Sequence, residues 1–341
     1  MVWRFIWPNL NSLSGLLPQA SLRDSIIIFS KIFSDINVNA MKNETVDKIM
    51  QKTIADYSKI ASDFARTRTF PWRIMQEFAK FVKPNDQVLD FGCGSGRLLE
   101  ALDKDGLVYV GVDPVPELID IARQKYKDVT AFDQSARGRA QKTKRSIDFR
   151  VISIDPGSVR LDFADNYFDH VFSIAVFHHL PSKKLRLDIL REFNRVLKDD
   201  GYVFLTVWNL WQVKFWSRLL KFSLMKIFFL PRYLCRVLTS KYDYLGTKGS
   251  LSRLLLRFLR WGVKMSKDNN GLSGEIDFGD LFISFSSADK KTTVNRYHHA
   301  FCRREIEDLA KKSGFKIEKI FYDEKKFNLC AILRKQSTSN I

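Results

Sequence analysis

The residues of this chain whose types and spacing can do chemistry begin at Asp90. Gln87–Phe91 is a short apolar run and reads as a buried strand. Gly92, Gly94 and Gly96 follow at alternate positions. Glycines so placed let the backbone turn tightly and let a ligand lie against the main chain where a Cβ would block it. Arg97-Leu-Leu-Glu-Ala-Leu is then predicted to open a helix whose N-terminus offers free N–H groups and partial positive charge. A second apolar run, Leu107–Val112, ends in Asp113. An acid at the tip of a second strand can accept hydrogen bonds from both hydroxyls of a ribose.

The elements that must position these residues follow from periodicity. Ile54, Tyr57, Ile60, Ala61 and Phe64 recur at helical spacing, and a second helix runs to Val82 after the turn Arg66-Thr-Arg-Thr-Phe-Pro-Trp72. Pro114–Tyr126 is predicted as a helix and Phe149–Ile154 as a third strand ended by Asp155. A fourth strand ends near Ala175 and His178-His179. Lys184–Leu197 is an amphipathic helix, and Tyr202–Trp208 is the fifth strand with Asn209 after its tip. Arg304–Lys312 is a helix before a final antiparallel pair, Phe315–Tyr322 and Phe327–Leu333. The expected fold is α/β, Rossmann-like, with a seven-stranded, mostly parallel sheet, helices on both faces and a basic helical insertion after strand five.

Composition narrows the partners. Fifty-six Lys and Arg against 38 Asp and Glu give a formal charge of +18, which favours nucleic acid or an anionic membrane surface. Residues 211–264 hold 12 Lys and Arg against the single acid Asp243. Arg253, Arg257, Arg260 and Lys264 fall on one helical face, a candidate contact for RNA phosphates or anionic lipid, or an ordinary solvated face. Arg137, Arg139, Lys142, Lys144 and Arg145 form a second basic stretch, read as a solvated loop or a phosphate contact. The four cysteines make no C-x-x-C pair and adjacent histidines suit chelation poorly, so no metal site is expected. With no run of 18 apolar residues, no transmembrane helix is expected and a cytoplasmic setting is the default. Residues 1–45 read as a leader that is poorly ordered or peripheral, with translation from Met41 as an alternative. Residues 46–209 and 296–341 then make the main domain, and 210–295 the insertion or substrate cap.

The pattern Asp-x-Gly-x-Gly-x-Gly with a distal acid resembles class I S-adenosylmethionine (SAM) methyltransferases. Three further stretches sharpen the resemblance: Tyr57-x-x-Ile-Ala-x-x-Phe64-x-x-Thr-Arg68-x-x-Pro-Trp72, Ser173–His179, and Ile276–Ile283 with Arg296-Tyr-His-His-Ala-Phe301. Together they resemble the tRNA wobble-uridine carboxymethyl methyltransferase family over about residues 50–335. The chain departs from the family's pattern in its longer basic segment, its leader, and Ile283-Ser-Phe285 where Val-Pro-Trp is expected. The resemblance implies that the two helices ahead of the sheet form a lid over the cofactor pocket. It implies SAM as cofactor, held by Asp90, Gly92, Gly94, Gly96, Asp113, Pro114, Asp155 and Ala175, with Asp90 toward its amino acid end and Asp155 on the adenine amine. It also implies methyl transfer to a carboxylate, which is ionised near pH 7 and needs no general base.

Arg68, His178 and Arg296 are the orienting candidates, and Asn209 and Tyr297 join them in binding substrate, Tyr297 by stacking on a base. Each has a structural alternative: a salt bridge for the arginines, packing for His178 and Tyr297. The implied partners are tRNA and a small zinc-containing activator subunit. Two rival readings are a membrane-surface methyltransferase of a lipid or quinone, and a non-catalytic RNA-binding protein that keeps the fold.

Overall fold

A computed structural model describes residues 41–127, 145–212, 215, 276–277, 279–287 and 291–337. The leader 1–40, most of the basic stretch at 134–146, and Arg253, Arg257, Arg260 and Lys264 lie outside the described residues.

The chain enters through helix α1 (Asn43–Arg66) and the short α2 (Arg73–Ala79). Then come β1 (Gln87–Phe91), β2 (Val108–Asp113), α3 (Pro116–Lys125), β3 (Ser146–Val151) and β4 (Phe168–Ile174). Next are α4 (Lys183–Val196) and β5 (Leu197–Trp208). Later in the chain come β6 (Asp280–Ser286), β7 (Thr293–His299), α5 (Arg303–Lys312), β8 (Phe315–Tyr322) and β9 (Asn328–Lys335). Seven strands form one sheet in the order β3-β2-β1-β4-β5-β9-β8. β1 to β5 are parallel, and β9 runs antiparallel to both β5 and β8.

The connections run outward from β1 to β3 and then return to β4, so the order reverses between β1 and β4. In open parallel sheets a ligand crevice forms at that reversal, beyond the carboxyl ends of the strands. β1 is buried along nearly its whole length, as a central strand covered on both faces must be. Leu89, Phe91 and Val171 pack on one side with Phe193 and Ile189 of α4, while Val88, Phe172 and Phe204 pack with Phe78 and Leu102 on the other.

α1 is amphipathic. Val46, Ile49, Met50, Thr53, Tyr57, Ile60 and Ala61 are buried, and the helix packs on Val115 and Leu118 at the start of α3 and on Val294 of β7. It therefore closes over the crevice, as the lid expected from sequence does.

Two elements differ from expectation. Arg97–Ala101 is a short 3₁₀ segment, not a full helix, and Leu102 leaves helical geometry. It is too short to build a helix dipole, so ligand binding at the glycine turn rests on individual N–H groups and side chains. The described end of the insertion is a β-hairpin: β6 pairs antiparallel with β7 as a separate two-stranded sheet. Among the described residues, no helix is long and apolar enough to cross a membrane.

Candidate active site

Gly92 and Gly96 take positive φ, +77° and +78°. A Cβ on Gly92 would meet Val176 Cγ2 at 2.3 Å, and one on Gly96 would meet Tyr126 Cε2 at 2.7 Å, so turn and close packing both demand glycine. Gly94 N donates to Asp113 Oδ2 (2.9 Å), and Val115 N donates to Asp113 Oδ1 (2.9 Å), which ties the turn after β1 to the tip of β2. Asp90 accepts from Tyr109 Oη (2.7 Å). Across the crevice, Ala175 holds a positive φ of 61°, with its N–H donating to Thr206.

A cavity of about 140 Å³ lies over this turn, with Asp90, Gly92, Gly94, Asp113, Pro114 and Ala175 in its wall. Burial pushes Asp90 up to about 7, despite the Tyr109 hydroxyl, and Asp113 up to about 6, despite its two backbone donors. Two buried carboxyls short of compensating donors fit a ligand that brings them. SAM carries an ammonium, a sulfonium and two ribose hydroxyls, so the residues present fit it. Gly96 shapes the turn without lining the cavity. Asp155 does not reach it: the residue is exposed in a turn where its carboxylate accepts from Gly157 N (2.7 Å), and Ile154 takes the place in the wall.

One side of the cavity is cationic. Arg68, half-buried after α1, lies over the Phe64 ring at 3.9 Å and donates to Thr67 Oγ1 (2.8 Å). Arg97 lies over Trp72 at 4.2 Å, its pKa brought down to about 10 by burial and then by Arg68. Arg296 of β7 is only 3% exposed, and its Nη1 donates to Tyr57 Oη (2.9 Å). It is flanked by the rings of Phe285 (5.0 Å), Tyr57 (5.3 Å) and Trp208 (5.8 Å). None of the three is in a salt bridge among the described residues.

His179, not His178, faces the cavity. Its Nδ1 lies 2.9 Å from the Tyr297 carbonyl, which can only accept, so Nδ1 carries the proton. Nε2 then accepts from Tyr57 Oη (2.8 Å). The order is fixed: Arg296 donates to Tyr57, Tyr57 to His179, His179 to the Tyr297 carbonyl. His178 is fully buried behind this chain, with Nδ1 accepting from Trp208 N (3.3 Å), and His298 Nδ1 donates to the Arg296 carbonyl (3.0 Å). Burial and Arg296 hold His179 down at about 3, and burial with neighbouring positive charge pushes His178 and His298 well below the usual imidazole range. Nitrogens of the three histidines lie within 4.8 Å of one another. The donor set does not suit a metal: His179 is bonded at both nitrogens, His178 is left with an N–H at Nε2, and a guanidinium stands beside them.

Strand alternation sorts β7. Arg296 and His298 share one buried face, against Tyr57, His178 and His179 and behind the cavity wall, whereas Tyr297 and His299 lie on the other. Tyr297, 1% exposed against Phe282, is a packing residue and not a base platform. Asn209 lies in an adjoining cavity of about 810 Å³ lined by Trp72, Trp208, Phe321 and Phe327, where its amide donates to the Lys326 carbonyl (2.9 Å). Trp72 and Trp208 border both cavities. Sequence reading missed Tyr57 and Arg97 as site residues. Tyr57 looks like one more apolar position of an amphipathic helix, whereas the place of Arg97, directly after the last glycine, is a signal that could have found it.

The doubly wound sheet, the glycine turn tied to Asp113 and the crevice at the strand reversal make a Rossmann-like domain with a cofactor-sized crevice of the kind class I methyltransferases use. Residues 89–205 match the family described as "Methyltransferase domain". The chain is 31% identical over 156 residues to tRNA (carboxymethyluridine(34)-5-O)-methyltransferase ALKBH8 of Mus musculus, covering 46% of this chain and 20% of that protein. It is 24% identical over 322 residues to the Xenopus tropicalis protein of that name, covering 88% and 42%. The chain thus spans less than half the length of these relatives. A crystal structure of a SAM-dependent methyltransferase from Methanosarcina mazei superposes at a TM-score of 0.48 with 20% identity, covering 78% of this chain and 98% of that one.

Proposed function

We propose that this chain is a SAM-dependent methyltransferase that esterifies a carboxymethyl group on a tRNA wobble uridine. The observation that carries the reading is the acceptor side of the cavity. Arg68 and Arg97 line it and Arg296 stands behind Tyr57, none of the three in a salt bridge among the described residues, and the histidines beside them are held neutral. Such a site repels a cationic acceptor and welcomes an anionic one. The names of the curated relatives supply the substrate class.

Asp113 holds ribose hydroxyls, and Asp90 takes positive charge at the amino acid end. Bound SAM supplies the electrophilic methyl group. The acceptor carboxylate is ionised at neutral pH, so no residue removes a proton. Arg296, fixed by Tyr57, and Arg68 hold one carboxylate oxygen and leave the other free to attack. The rings of Phe64, Tyr57 and Trp208 exclude water, which strengthens the grip and strips the nucleophile. A small activator subunit is part of the same proposal, and co-purification from the native host tests it.

The test is to incubate the protein with methyl-labelled SAM and total tRNA from a strain lacking the gene, then digest to nucleosides. The expected label is a methyl ester on a wobble uridine, released by mild alkali. Alkali-stable label, or label only in a lipid fraction, overturns the substrate while keeping the methyltransferase.

A further inference from the structure

Behind the hairpin strand that carries Arg296 lies a buried charge cluster that the chemistry above does not use. His299 Nδ1 is 2.6 Å from Asp280 Oδ1, and its Nε2 is 2.9 Å from Glu305 Oε2. A carboxylate can only accept, so both ring nitrogens carry protons and His299 is an imidazolium. Arg186 of α4 completes the cluster, with Nη2 3.3 Å from Glu305 Oε1 and Nη1 donating to the Leu180 carbonyl (2.9 Å). Asp280 Oδ2 also accepts from Asp277 N (2.6 Å) at the entry to β6. Asp280, Arg186 and His299 are 1%, 1% and 5% exposed. Buried Asp280 and half-buried Glu305 meet two buried cations, so these four charges balance and are unbalanced if one member is lost.

The members come from four places: Asp280 from β6, His299 from β7, Glu305 from α5 and Arg186 from α4. The charged and titratable groups around His299 are these, with Asp277 and the Tyr297 hydroxyl beyond Asp280, Lys183 beyond Glu305, and the neutral His178 on the site side. β6 and β7 pair only with each other. Their ties to the body are therefore side-chain packing, the Lys52 bond to the Asn295 carbonyl, the Arg296 bond to Tyr57, the His179 bond to the Tyr297 carbonyl, and this cluster. Arg296 is three residues from His299 on the opposite face of the same strand, so whatever holds His299 sets where the Arg296 guanidinium sits.

We infer that the Asp280–His299–Glu305–Arg186 cluster is a charge-balanced clamp that positions β7, making His299 and Asp280 positioning residues for the acceptor-binding arginine. The inference rests on the proposed reaction for its effect on turnover, and on the cluster's own geometry for its effect on the hairpin.

The test compares wild type, His299→Gln and the double variant Asp280→Asn/His299→Gln on the full chain. The single variant leaves two anions against Arg186. The double variant keeps the Glu305–Arg186 pair and puts two neutral amides at positions 280 and 299. For H299Q, amide hydrogen exchange over 280–299 is expected to quicken by about tenfold or more, with SAM affinity unchanged and methyl transfer reduced by about tenfold through kcat. The double variant is expected to recover most of both. If hairpin exchange in H299Q equals wild type, or if D280N adds to the defect, the clamp is overturned and His299 is mere packing. If no tRNA is methylated by wild type, the proposed reaction fails, while the exchange comparison still decides the clamp.

Discussion

At the scale of single residues, the site is a meeting of carboxyls that want donors and guanidiniums that want an anion. Asp113 and Asp90, raised to about 6 and about 7, hold their protons more tightly folded than unfolded. At these two sites the unliganded protein therefore binds more protons than its unfolded chain between about pH 4 and 7, and the two groups lower stability as pH rises through that window. Ribose hydroxyls and a cationic ligand need the ionised forms, so SAM binding runs the other way: affinity is expected to fall as pH drops below about 6. Calorimetric titration at about pH 5, 6, 7 and 8 checks the sign, and a flat profile would remove Asp113 as the ribose acceptor. Gly92→Ala places a methyl 2.3 Å from Val176 at a φ of +77°. It is expected to cost about 2 kcal/mol or more in stability and to abolish SAM binding, read by a thermal shift with and without ligand. Tyr57→Phe leaves the packing of α1 but cuts the link between Arg296 and His179. Turnover is expected to drop about tenfold with SAM affinity kept.

At the scale of elements, legibility in the sequence followed the strength of local signals. β1, β2, β4, β5 and the closing pair carried apolar runs that only a covered strand needs, and the structure sets them in one mostly parallel sheet. The glycine turn and Asp113 were legible because glycine and acid at fixed offsets have one good physical use, and both lie at the cavity, whereas Asp155 does not reach it. The β6–β7 hairpin was not, because Asp280 and His299 sit inside it as charged residues and their compensation comes from Glu305 and Arg186 on two separate helices. The choice between His178 and His179 was equally illegible: adjacent side chains diverge, and only the position of Tyr57 shows which one meets the cavity. Arg97 was expected to start a helix, and the chain instead leaves helical geometry at Leu102, buried in the core beside Leu107. The lid makes its own testable contact. Lys52 of α1 bonds Asp56 (2.5 Å) and the Asn295 carbonyl of β7 (2.7 Å), joining lid and hairpin. Lys52→Met is expected to lower stability by about 1–2 kcal/mol, measured as a shift of the denaturation midpoint at constant slope.

At the scale of the whole molecule, charge decides what can approach. The formal charge of +18 exceeds what three site arginines contribute, and much of it lies in the basic segment 211–264. A polyanion such as tRNA would release counterions wherever Lys and Arg neutralise its phosphates, so affinity should fall linearly with the logarithm of salt concentration. Replacing Arg253, Arg257, Arg260 and Lys264 together by Gln removes four of those charges. If the segment grips phosphate, tRNA affinity weakens at every salt concentration and the slope shrinks by about one unit for each phosphate no longer neutralised, up to about four. SAM affinity is expected to stay constant. An unchanged slope would assign the excess charge to another surface and leave the basic segment without a role in holding RNA.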